Sequence, residues 1–82
     1  MDKDKQIQKD ILEIIESYAL NKSRIKHATT DSKIILDLKL NSARIMDIIM
    51  DCEEKYDIEI EDTDIPKIVT INDAIQIIKK YL

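Results

Sequence analysis

The chain has 82 residues, of which 44% are apolar and 37% charged, enough apolar surface for one small folded core in a single domain spanning 1–82 and too much for a disordered tail. It lacks Gly, Phe and Trp, so base-stacking modes of nucleic-acid binding have little to work with, and no apolar run is long enough to cross a bilayer. The net charge of −4 is unevenly spread: residues 1–40 carry +1, residues 41–64 carry −7 and residues 65–82 carry +2. A segment this acidic steers basic partners and repels nucleic acid and anionic membranes. One cysteine excludes an internal disulfide, and the polar start MDKDKQIQKD lacks the apolar stretch of a signal peptide, so a cytoplasmic setting is expected.

From Asp4 to Leu20 the apolar residues Ile7, Ile11, Ile14, Ile15 and Tyr18 repeat at the helical period, which predicts a first helix with Asn21 as its stop. Residues 21–41 read as a long crossover. A basic stretch, Lys22 to His27, leads into turn-prone Thr29-Thr30-Asp31-Ser32 and then into Ile34, Ile35, Leu36, Leu38 and Leu40. Those apolar residues predict a connection packed across the helices, with a short helical turn near Ser32 to Leu36.

The period returns from Ser42 to Tyr56. Ile45, Ile48, Ile49, Cys52 and Tyr56 make an apolar stripe, opposite Arg44, Asp47, Asp51, Glu54 and Lys55. Asn41 or Ser42 is the expected cap. Asp57 to Asp62 is an extended loop with Ile58 and Ile60 inward, and Asp64 to Ile68 forms one short helix despite Pro66. Thr70 and Asp73 have the spacing of a capping box, and the last helix runs to Tyr81, burying Ile71, Ala74, Ile75, Ile78 and Leu82. The expected fold is all-α: a small four-helix bundle of three main helices and one short one, with a long first crossover loop.

No catalytic set emerges. His27 stands in a basic loop without a neighbouring nucleophile. Cys52 lies on an apolar stripe beside carboxylates that disfavour its thiolate. The acidic run from Asp57 has Asp62 where a calcium loop needs Gly, and Ile68 where it needs Glu. Ser42 is left, at the start of the most acidic helix, and in isolation it reads as a helix cap.

Its surroundings resemble the acyl carrier protein family. The family's attachment motif runs Asp-Leu, Gly or Lys, an apolar residue, then Asp-Ser-Leu; residues 37–43 read DLKLNSA. IMDIIMDCEEKYDIEIED is similar to the family's second helix and the loop after it, and IPKIVTINDAIQII to its short third helix and last helix. The resemblance covers residues 32–78 without a gap. It implies a non-catalytic carrier with 4′-phosphopantetheine, taken from coenzyme A, on Ser42, and with acyl groups held as thioesters on that arm. It also implies partner contacts at Asp47, Met50, Glu53 and Glu54, to which Asp51 adds an acid. The implied partners are a phosphopantetheinyl transferase and fatty acid synthase enzymes or acyltransferases with basic patches, met by a monomer without nucleic acid or membrane insertion. Polyketide, aminoacyl or lipid A acyl transfer are alternative pathways, and a helical interaction module without a prosthetic group is the alternative from another class. Asn41 for the usual Asp, Ala43 for Leu and Arg44 for a common acid mark a specialised carrier. An isoleucine interior could admit an acyl chain, with Ile45, Ile49, Ile58, Ile60, Ile65, Ile68 and Ile75 as candidate lining.

Overall fold

The computed structural model describes residues 3–20 and 22–82. Helix α1 spans Lys3–Tyr18, α2 Lys22–Lys26, α3 Ile45–Tyr56 and α4 Ile71–Tyr81; 3₁₀ turns cover Ser42–Arg44 and Asp62–Lys67. The fold is all-α, as expected, with α1, α3 and α4 as the main helices. Helix α1 buries Ile7, Ile11 and Ile15, spaced by four residues so that they stack on one face. That stripe joins one core with Ile71, Ile75 and Ile78 of α4. All six are at most 1% exposed, and each buried aliphatic side chain contributes roughly 1.5–3 kcal/mol, so this seam is the main source of stability.

Two boundaries differ from the sequence expectation. Helix α1 ends at Tyr18, leaving Leu20 fully exposed, while the expected stop at Asn21 lies outside the described residues. The basic stretch forms the short helix α2 because Ile25 can be buried under it; one apolar residue in five leaves no period to read. Leu82 is a further correction: beyond the last turn of α4 it is 52% exposed rather than buried.

The crossover is fastened to α4. Val69 C=O accepts from Ile34 N–H at 2.9 Å, Ser32 C=O from Ile71 N–H at 3.1 Å, and Thr30 C=O from Asn72 N–H at 2.8 Å. Its helical turn lies slightly later than expected: Lys33 C=O accepts from the amides of Asp37 and Leu38, and the Asp37 carboxylate accepts from Lys33 N–H at 2.8 Å. Lys39 then takes a left-handed conformation with φ 57°, which redirects the chain toward Ser42. A lysine there bears a Cβ penalty that glycine lacks.

Helix α1 is clamped to α3 twice. Tyr18 donates its phenol to Asp51 at 2.6 Å, and Tyr56 donates to the buried Asp10 at 2.5 Å. The earlier residue of α1 meets the later residue of α3, so the two helices run in opposite directions. At the head of α4 the capping box is complete: Asp73 N–H donates to Thr70 Oγ1 at 3.0 Å, and the Asp73 carboxylate accepts from Thr70 N–H at 2.9 Å. The carboxylate also accepts from Val69 N–H at 3.0 Å.

Two outcomes are expected. Lys39→Gly raises the free energy of unfolding by about 0.5–1 kcal/mol, net of the entropy glycine adds to the unfolded chain, as read by urea denaturation. Acid weakens the fold through Asp64 and Asp73. The Tyr81 phenol and the Lys80 ammonium hold the Asp64 carboxyl far below the usual range, and the Thr70 amide lowers that of Asp73. Both are deprotonated more readily folded than unfolded, so their contribution is full above the unfolded value of about 3.9 and is lost as pH falls below it. The urea midpoint should fall between about pH 5 and pH 2, and less steeply in Asp73→Asn.

Candidate functional site

Ser42 stands where three local features meet. The left-handed Lys39 turns the chain, Leu40 anchors it in the core at 4% exposure, and Asn41 caps the 3₁₀ turn by accepting from Ala43 N–H at 2.9 Å. Of the two expected caps, Asn41 is the one that acts. The Ser42 side chain is therefore relieved of capping: it is exposed, and among the described residues its hydroxyl has no hydrogen-bond partner. The turn leads directly into α3, so Ser42 stands at the positive end of a continuous helical stretch that favours an attached anionic group.

Beside Ser42 opens a surface cleft of about 460 Å³. Ile35 and Leu36 of the crossover line it together with Ile45 of α3, Ile65 and Pro66 of the second 3₁₀ turn, Ile68 and Val69 just after that turn, and Lys33. An open apolar cleft of this size can hold a flexible chain tethered at its rim. Behind it lies a narrow apolar void of about 20 Å³, touched by Ile45, Ile49, Ile60 and Ile68 among others. Of the candidate lining residues, Ile45, Ile49, Ile60, Ile65 and Ile68 line the cleft or the void, whereas Ile58 and Ile75 line neither. The expectation missed Ile35 and Leu36, 42% and 62% exposed, by placing the whole run in the core. The signal was available: five apolar residues in seven exceed what one face of an irregular segment can bury.

The acidic face of α3 is less uniform than its sequence. Arg44 pairs with Asp47 at 3.0 Å and lies over the Tyr18 ring at 6.0 Å. Asp51 accepts the Tyr18 phenol, which raises that phenol's pKa. Glu53 accepts Ile60 N–H at 2.7 Å and so ties the loop after α3 back to the helix. Glu54 is exposed, and Met46 and Met50, 47% and 58% exposed, form an apolar strip on the same helix. The six residues expected to serve an attached arm and its partners thus fall on one stretch of backbone, but Asp47, Asp51 and Glu53 also have internal partners. Cys52 is buried, and its thiol is pushed up to about 12 by burial and by Asp51, which removes it as a nucleophile.

No family model matches the chain. Individual relatives do. The chain is 42% identical over 77 residues to an acyl carrier protein of Rickettsia canadensis, covering 94% of this chain and 86% of the relative. It is 38% identical over 56 residues to one of Desulforapulum autotrophicum, covering 68% and 73%, and 32% identical over 69 residues to one of Thermotoga maritima, covering 84% and 82%. The helical architecture, the exposed serine at the head of α3 and this similarity over most of the chain lead to one conclusion: the chain belongs to the acyl carrier protein family.

Proposed function

We propose that this acyl carrier holds acyl groups on a 4′-phosphopantetheine arm joined to Ser42 Oγ, and that it serves fatty acid biosynthesis in the cytoplasm as a monomer. The observation that carries the reading is the free, exposed Ser42 hydroxyl at a helix N-terminus on the rim of a 460 Å³ apolar cleft. The residues present suit the arm: the helix head favours its phosphodiester, and Ile35, Leu36, Ile65 and Val69 offer apolar surface along its path. When attached, the arm supplies a terminal thiol that holds the cargo as a thioester. The chain's own residues position the attachment oxygen, shelter the arm and present the α3 face; Cys52 takes no part in the chemistry, which partner enzymes perform.

The partners on this reading are a phosphopantetheinyl transferase and acyl-handling enzymes with basic patches. Glu54 and Met50 supply the open contacts. Asp47 is offered together with Arg44, so the end of α3 nearest Ser42 is close to neutral, and the acidic field is strongest further along the helix and in the loop 57–62. Asn41 acts on the loading step by holding the turn with a neutral side chain where most of the family has a carboxylate.

Intact mass tests the arm directly. Incubation with coenzyme A and a phosphopantetheinyl transferase should add one phosphopantetheine to the wild type and none to Ser42→Ala; no gain with several transferases would refute the assignment. A second outcome concerns charge. Asp47→Lys with Glu54→Lys should weaken association with the transferase about tenfold or more at low salt, with helicity unchanged by circular dichroism and the difference shrinking as salt rises. Unchanged affinity at low salt would remove α3 from the interface.

A further inference from the structure

The 3₁₀ turn Asp62–Lys67 and its flanks form the outer wall of the cleft, through Ile65, Pro66, Ile68 and Val69, and also border the narrow void, through Ile60 and Ile68. At its ends the wall is tied to the body by Ile60 N–H to Glu53 and by Ile34 N–H to Val69 C=O. Between these ends, the polar attachments to the rest of the protein among the described residues all converge on the last turn of α4. Asp64, 2% exposed, accepts from Lys80 Nζ at 2.9 Å and from the Tyr81 phenol, which in turn accepts from Glu61 N–H at 3.2 Å. Lys67, from the wall itself, completes the cage at 3.2 Å. A buried carboxylate is costly unless its lone pairs are matched, so seating the wall with the cage broken carries a penalty.

We infer that Asp64, Lys80 and Tyr81 form a latch that seats the cleft wall, and that this latch controls whether the cargo reaches the interior. The void of about 20 Å³ has room for roughly one water-sized body, so a chain of several carbons enters only if the wall moves outward. The wall has two states, seated on α4 or released from it, and the latch sets their ratio. Asp64 and Tyr81 are 22 and 39 residues from Ser42 in sequence and act on the cargo through the wall, as positioning residues. The cargo half of this inference rests on the proposed arm at Ser42; the latch itself does not.

Two measurements separate these halves. On the unmodified chain, hydrogen exchange is compared between wild type and Tyr81→Phe. Removing one hydrogen bond to a charged group should accelerate exchange of the amides of Asp64 and Ile68 about tenfold or more, with Ile11, Ile15 and Ile75 unchanged. Lys80→Met should act likewise and Lys80→Arg should restore wild-type exchange, which keeps the test open if Tyr81→Phe folds poorly. Equal acceleration at all sites, or none at the wall, would overturn the latch whatever Ser42 carries. On the arm-loaded protein, octanoyl and acetyl thioesters are cleaved with hydroxylamine. Tyr81→Phe should slow octanoyl cleavage about threefold or more, with acetyl cleavage unchanged, because a released wall shelters the longer chain more often. An unchanged ratio with a released wall would overturn the control of cargo, and failure of Ser42 to take the arm would refute the proposed function without touching the exchange result.

Discussion

The seam between α1 and α4 is the constraint on which the other contacts depend. A chain this short, with neither Phe nor Trp, must build its core from aliphatic side chains, and it does so with isoleucine: Ile7, Ile11 and Ile15 meet Ile71, Ile75 and Ile78. Isoleucine is stiff at χ1, so it loses little further freedom on burial and packs with few alternative arrangements. The price is a slightly weaker helix propensity than leucine, which the caps at Asn41 and Thr70 partly offset. With the seam in place, the start of α4 becomes a fixed platform. Thr30, Ser32 and Ile34 of the crossover fasten to it, and through them the turn that carries Lys39 and Ser42 acquires a defined position.

Polar groups inside the molecule follow a single pattern. All three tyrosines donate their phenols to aspartates distant in sequence: Tyr18 to Asp51, Tyr56 to Asp10 and Tyr81 to Asp64. The first two join α1 to α3 at separate heights and settle the direction and rotation of α3. That rotation turns Ile48, Ile49 and Cys52 inward and leaves Met46, Met50 and Glu54 outside. The hydrogen bonds to Asp51 and Asp64 raise the pKa values of the Tyr18 and Tyr81 phenols, and burial together with the bond to Asp10 raises that of Tyr56, so the tyrosines remain protonated donors at neutral pH. The acidic face that α3 presents is therefore what remains after folding has engaged part of Asp51 and Glu53.

The helices were legible because their signals are local. The apolar repeats of α1, α3 and α4, the capping box of Thr70 and Asp73, and the short turn at Pro66 all lie within a few residues of one another. Helix α2 was not legible, since its single buried residue, Ile25, is chosen by the surface of α1 rather than by any period of its own. The cleft was only partly so. Ile65 and Ile68 stood out as candidates, but Ile35, Leu36 and Val69 line it because the crossover twists between buried neighbours Ile34 and Leu38, which depends on the bonds to α4.

By itself the sequence determined the three main helices, the capping box of Thr70 and Asp73, the acidic bias of residues 41–64 and the resemblance that singled out Ser42, because each of these depends on residue identity and short spacing. The structure decided between partners that are competent locally: Asn41 rather than Ser42 is the cap, which leaves the serine hydroxyl free, and Arg44 meets Asp47 three residues on. It also decided that Asp64 lies buried between Lys80 and Tyr81. The last of these comes from the packing of segments 16 and 17 residues apart, which brings competent donors and acceptors within about 3 Å of each other and which the order of residues along the chain does not show.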